Sequence, residues 1–355
     1  MRTPAIAAVL LFSGAIATAG AAAGVRPAST ADNAERSRGA QSTEWWFTGV
    51  IDPVSGEAFA ASLGTRMAGG PPATAVLSLP PAGGERTLGL LGLGATASRS
   101  TVDVRVGTST LREVAPGTWR LRVRGSTPFA LHGASLPVSA DLVVRRRAPA
   151  FVAGPMRLGR GQFVGWTVGA PLASATGTFT VGTRTVKVTN APAYADHNWG
   201  RFSLSGGRLA GWDWSQVFLP GDRALTIGMV KPLAGPADGV AVLSATSGRL
   251  GTARAATTRI GYEGWTRAGN FVYPPTMRVR ATLGAWRADL TYRARRATPL
   301  PFDRAGKSAL VEVLARVDGT LTGPGGRVVA VKDAPAFYEY QSTPISRQRD
   351  GAPAQ

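Results

Sequence analysis

Trp119-Arg-Leu-Arg-Val-Arg124 alternates apolar and charged residues without a break. As an extended chain it places Trp119, Leu121 and Val123 on one face and three arginines on the other. A helix would scatter the same residues around its circumference, so the segment reads as a half-buried strand of an antiparallel sheet. The same period of two recurs in Thr101-Val-Asp-Val-Arg-Val106, in Phe179-Thr-Val-Gly-Thr-Arg-Thr-Val-Lys-Val188 and in Met277-Arg-Val-Arg-Ala-Thr282. Turn residues fall between such runs at Pro53 to Gly56, Ala115-Pro-Gly117, Pro220-Gly-Asp222 and Gly323-Pro-Gly-Gly326. No stretch carries the period and caps of an amphipathic helix of ordinary length. The fold class is therefore all-β. Residues 40–342 number 303, which suits two antiparallel β-barrel domains in tandem, since a barrel strand with its turn uses roughly a dozen or more residues.

Composition narrows the chemistry. The 355 residues include no Cys and two His, so thiol chemistry, disulfides and clusters of Cys and His around a metal are excluded, and no metal site is expected. The charge is +19, but only four of the 40 basic residues are Lys, and the arginines stand singly along alternating runs except at Arg145-Arg146-Arg147. No nucleic-acid-binding motif accompanies them, so the reading is no nucleic acid and at most a peripheral attraction to anionic surfaces. With 44% hydrophobic and 17% charged residues the chain is folded rather than disordered.

Arg2, the apolar stretch Ala5 to Ala17 and the small residues up to Ala23 read as a signal peptide over residues 1–23, and hence as a secreted protein. Residues 24–40 and 343–355 are small and polar and are expected to be flexible. Between them a weak repeat marks two halves. Glu44-Trp-Trp-Phe-Thr-Gly-Val-Ile-Asp-Pro-Val-Ser-Gly56 is a Trp-rich strand running into a turn, and Gly211-Trp-Asp-Trp-Ser-Gln-Val-Phe-Leu-Pro-Gly221 does the same later. The expected domains are 41–192 and 193–342.

The order Glu44-Trp-Trp-Phe47, Ala195-Asp-His-Asn-Trp-Gly200, Gly211-Trp-Asp-Trp214, Tyr273-Pro-Pro275 and Ala336-Phe-Tyr-Glu-Tyr340 resembles the hydroxyneurosporene synthase (carotenoid 1,2-hydratase) and AttH family over nearly the whole chain after the leader. The resemblance implies two lipocalin-like domains, and on that scaffold cofactor-free hydratases of carotenoids and Diels–Alderases. It also implies a catalytic His-x-Trp pair, matched here by His197 and Trp199, with a Tyr and an Asp further along. Ala224 to Val230 carries no Tyr-x-Asp counterpart.

The residues themselves support a related picture. In an extended Asp196 to Trp199, His197 and Trp199 share one face and Asp196 and Asn198 the other, while Trp212 and Trp214 share a face opposite Asp213. A cavity receiving His197, Trp199 and Trp212 or Trp214 would hold one titratable group among aromatic walls, which suits protonation of a C=C or the folding of a polyene. His197 would then be the acid or hydrogen-bond donor, with its pKa raised by Asp196, Asp213 or Glu44. The expected catalytic set is His197, Trp199 and Asp196, and the expected substrate-binding set is Trp46, Trp212, Trp214 and Glu44. The same Asp-His-x-Trp-Gly segment could instead lock the two halves together as a buried polar network, with Glu44 answering an Arg or a Trp N–H.

Gly92-x-Gly94-x-x-Ala97 is followed by a strand pattern where a dinucleotide site needs a helix, no Gly-x-Ser-x-Gly elbow exists, and His132 reads as an ordinary strand-end residue. No cofactor is expected. Two functions remain open: a cofactor-independent enzyme, hydratase-like or cyclising, on a hydrophobic polyene, isoprenoid or polyketide-like substrate, and a non-catalytic carrier of such a ligand.

Overall fold

The computed structural model describes residues 24–352 except 38, 40–41, 68–70, 80–85, 92–93, 127–128, 131–135, 205–206 and 302–307. The signal peptide expected over residues 1–23 and the expectation for His132 lie outside the described residues.

Within them the chain is all-β. A 14-stranded antiparallel sheet takes strands from Val25–Pro27 to Arg184–Arg201, and a 9-stranded antiparallel sheet takes strands from Leu209–Leu219 to Val328–Ser342. The changeover falls between Arg201 and Leu209, because Arg184–Arg201 runs straight through residues 192 and 193 and pairs with Gln162–Val181 and Thr43–Ile51 of the first sheet. The Trp-rich repeat has a topological counterpart. Thr43–Ile51 lies between the next strand, Ala58–Met67, and the last strand of its sheet. Leu209–Leu219 likewise lies between Arg223–Pro232 and Val328–Ser342.

Burial follows the sequence pattern. In Thr276–Leu283 alternate residues are buried and exposed, as the arginine-bearing runs predict. Leu209–Leu219 is buried at every position, because one face looks into its own sheet and the other meets the first sheet. Three cores result. One fills the first sheet around Trp46, Phe59 and Leu142, and one fills the second around Tyr292, Tyr338 and Val313. The third lies between the sheets and joins Phe47, Trp166 and Tyr194 to Trp212, Trp214, Phe218 and Phe337. Each large apolar side chain buried there contributes roughly 1.5–3 kcal/mol, so the contact is a core rather than a loose domain interface.

Three expectations are corrected. Phe179 to Val188 is a hairpin rather than one strand: it turns between Val181 and Arg184, where Gly182 takes φ of +62°. Residues 24–37 are not free. Val25–Pro27 pairs with Phe151–Gly159, and Asp32 accepts from the Ser29 backbone N–H and from Arg26, which holds its carboxyl well below the usual carboxylate range. Residues 343–352 are ordered too. Thr343 caps a short helix, Pro344–Arg349, and Lys231 reaches both Asp213 and Asp350 at 3.0 Å, tying the segment after that helix to the second sheet. In both terminal segments small polar residues act as caps and hydrogen-bond partners, which their composition alone disguises as flexibility.

Candidate functional site

The strand Arg184–Arg201 places consecutive residues in two different cores. His197 points into the first sheet's interior, where it is fully buried and pairs in register with Trp46. The two rings stack with centroids 4.2 Å apart and planes within 3°. His197 Nε2 lies 2.8 Å from Glu44 Oε1, and the same carboxylate accepts the backbone N–H groups of Arg36 and Ser37 at 2.7 and 3.0 Å. The Trp46 indole donates to the Asn33 carbonyl at 2.9 Å. Burial pushes the His197 pKa below its ordinary value although the Glu44 carboxylate opposes this. His197 is thus a neutral imidazole at neutral pH, donating from Nε2 to Glu44, and the cluster fastens residues 33–37 over the first sheet. Trp199 lies on this side as well, edge-on to Phe163 at 5.7 Å, with the Arg36 guanidinium 4.9 Å from its ring centroid.

Asp196 points the opposite way, into the core between the sheets. Its Oδ2 accepts the Trp166 indole N–H and the Tyr194 hydroxyl, each at 2.8 Å, and its Oδ1 accepts Asn198 Nδ2 at 3.0 Å. The Trp214 indole in turn donates to Tyr194 Oη at 3.4 Å. Burial pushes the Asp196 carboxyl up to about 7, and its three donors hold it from rising further. Tyr194, raised well above its ordinary value by burial and by the Asp196 carboxylate, stays a phenol and a donor. A carboxyl titrating near neutrality among indoles can hand over and take back a proton at working pH.

Two adjoining chambers meet here. The smaller, about 40 Å³, is lined by Asp196, Asn198, Trp166, Trp214 and Met156. The larger, about 210 Å³, is lined by Leu77, Leu204, Leu300, Leu310, Thr74 and Glu312. Trp45, Phe47, Trp212 and Glu339 border both. Glu312 and Glu339 stand directly opposite each other on paired strands, where two buried carboxyls are kept together by a proton held between them rather than by two charges. The Trp212 indole donates to Glu339 Oε2 at 2.9 Å. Burial raises both glutamates, and the charge of Asp196 adds to the rise.

The structure thus brings Asp196, Trp212 and Trp214 together and sets His197, Trp199, Trp46 and Glu44 apart from them. The expected cavity shared by His197, Trp199 and Trp212 or Trp214 is corrected: period two does separate the faces, but the second sheet covers the Asp196 face. Trp45, Trp166, Tyr194, Asn198, Glu312 and Glu339 were not among the expected site residues. A signal for Glu312 existed in the lone acid of Leu310-Val-Glu-Val-Leu314, and for Glu339 in Ala336-Phe-Tyr-Glu-Tyr340. Among the described residues, no group of three or more His, Asp or Glu side chains is placed to hold a metal ion.

Neither a protein-family model nor a curated protein sequence matches the chain. Solved structures do. A Nitrosomonas europaea protein designated AttH shares 17% identity at a TM-score of 0.60, over 85% of this chain and 92% of that one. CghA shares 12% at 0.58, over 91% and 94%. Kievitone hydratase from Nectria haematococca shares 13% at 0.57, over 84% and 89%. The chain has the lipocalin-like, all-β fold of these AttH-type proteins, and at such identities the likeness speaks for the fold.

Proposed function

We propose that the protein is a cofactor-independent enzyme that moves a proton to or from an apolar, unsaturated substrate held between its two sheets, with Asp196 as the acid and base. The observation that carries this reading is the Asp196 carboxyl itself, buried, held by three donors and titrating near 7 at a chamber walled by Trp166 and Trp214. Positive charge developing on a protonated C=C would lie against indole faces in a desolvated site, a contact worth roughly 2 kcal/mol. Addition of water or closure of a ring could follow from the same cation. One structural neighbour is a hydratase, which favours the first outcome. His197 and Glu44 act here as positioning residues that fix the strand on whose other face Asp196 stands.

The apolar lining of the larger chamber also suits a carrier that only encloses such a ligand. The two readings separate in one experiment. Apolar molecules extracted from the native protein are identified by mass spectrometry and incubated with wild type and Asp196→Asn. Conversion by wild type and retention without conversion by the variant support the enzyme. Recovery of an unchanged molecule from both supports the carrier.

The pattern of residues 2–23 supports export, so the proposed place of action is outside the cell membrane. Intact mass of the protein from culture medium should begin within a few residues of Gly24. Full-length chain recovered only from membranes would overturn it.

A further inference from the structure

Acids elsewhere in the described chain are mostly answered by arginine. Asp32, Asp141 and Glu57 meet Arg26, Arg120 and Arg184 at 2.5–2.7 Å, and the buried Asp213 meets Lys231 at 3.0 Å. In a chain with 40 basic residues and 21 acids, an acid without a cation is the exception. Asp196, Glu312 and Glu339 form such an exception together. Among the described residues none of them is in an ion pair, and neither chamber is lined by Arg, Lys or His.

One atom shows where a counter-charge would go. Glu312 is 1% exposed, lines the larger chamber, and has its Oε1 without a hydrogen-bond partner. Its neighbour Glu339, opposite it in register, already accepts the Trp212 indole N–H. No donor among the described residues reaches Glu312 Oε1, so this buried oxygen calls for a donor from outside them. Around it the chamber offers Trp45 and Trp212, whose ring centroids are 5.9 Å apart, and the aliphatic side chains of Leu77, Leu204, Leu300 and Leu310.

Aromatic faces beside unpaired carboxyls recognise a cation, and an aliphatic wall beyond them recognises a hydrocarbon. We propose that the Glu312–Glu339 pair is a binding subsite for a protonated amine, so that the substrate class is an apolar molecule bearing an alkylammonium group. This rests on the reading of the inter-sheet chambers as the ligand site and adds to it the charge of the ligand. The ammonium N–H groups bond to Glu312 Oε1 and to the shared carboxylate, and the cation displaces the proton that the pair holds when empty. Among the described lining residues an anionic ligand would meet acids and no Arg, Lys or His.

The test compares three probes of equal chain length, octylamine, 1-octanol and octanoate, by titration calorimetry at pH 8 in two buffers of different ionisation heat. The expected result is that octylamine binds at least tenfold more tightly than 1-octanol, that octanoate binds most weakly, and that amine binding releases protons. In a Glu312→Gln, Glu339→Gln double variant the amine should fall to the affinity of the alcohol. The proposal is overturned if 1-octanol or octanoate binds wild type as well as the amine does, if no probe binds, or if the amine keeps its advantage in the double variant. The wild-type comparison stands even if the variant fails to fold. Turnover lost in Asp196→Asn with amine preference intact separates this subsite from the proposed reaction, as does turnover of a neutral substrate with no amine preference.

Discussion

Asp196 and His197 are adjacent in the chain and belong to different cores: Asp196 accepts Trp166 and Tyr194 between the sheets, while His197 stacks on Trp46 inside the first. Any substitution at one of them therefore reports a different property. His197→Ala removes the stacking partner of Trp46 and leaves the fully buried Glu44 carboxylate with only its two backbone donors. Removing one partner of a buried hydrogen bond costs about 1–3 kcal/mol, and more where the group left behind is charged. The expected outcome is a clear fall in denaturation midpoint, with proton-transfer activity per folded molecule retained. A variant that keeps wild-type stability but loses turnover would return His197 to the reacting site.

Lys231 holds the C-terminal segment in the same one-sided way. It is the cation shared by Asp213 and Asp350, it donates to Tyr262 Oη at 3.0 Å, and it sits 4.9 Å from that tyrosine's ring centroid. Burial raises the Asp350 carboxyl, with Lys231 opposing the rise. Lys231→Met leaves two buried acids without their cation, at a cost of about 3–5 kcal/mol. Limited proteolysis should then cut after Ser342 at a rate where wild type stays intact. Equal cleavage of both would mean that the helix Pro344–Arg349 is held by other contacts.

Much of this was legible in the residues, and the parts that were not share a cause. Alternation located strands such as Thr118–Ser126 and Thr276–Leu283, and it placed Asp196 opposite His197 correctly. It could not say which face meets a ligand, because in Arg184–Arg201 the relevant residues are buried on both sides. That answer depends on Glu44, 153 positions away in sequence, and on Leu209–Leu219 of the other sheet. The Glu312–Glu339 pair likewise exists only through the register between Ala309–Thr322 and Val328–Ser342. A lone acid within an apolar run shows that something must answer it, but not what does.

Stability should depend on pH in two opposed ways. The folded-state pKa of His197 lies below that of an unfolded histidine, near 6.5, so as pH falls the unfolded chain takes up a proton that the folded chain refuses. The His197 contribution then drops on acidification below about 6.5. Asp196 has the contrary sign. Its pKa of about 7 lies above that of an unfolded aspartate, so its stabilisation is complete below about 4 and is lost as pH rises through 7. Glu312 and Glu339, both raised by burial, extend that loss to higher pH. Below about 6.5 the His197 proton opposes the three carboxyls, so chemical denaturation from pH 5 to 9 should show stability falling with rising pH, more gently below 6.5 than between 6.5 and 8. Asp196→Asn should make the fall up to about 7 gentler and leave the change of slope near 6.5, and a fall unchanged in that variant would place the titration elsewhere.

Gly228 gives access to the acid without touching it. A Cβ built there would lie 2.3 Å from the Trp166 ring, too close for any side chain, so Gly228→Ala must push that indole away. The overpacking alone costs roughly 1–3 kcal/mol. Displacing Trp166 also weakens the 2.8 Å hydrogen bond that its Nε1 donates to Asp196, and a carboxylate that loses a donor becomes harder to ionise. The pH at which proton transfer is half-maximal should therefore move up from about 7, while the His197-dependent change of slope in stability stays where it is. A profile that keeps its midpoint in a folded Gly228→Ala protein would show that Asp196 is not the group titrating in the reaction.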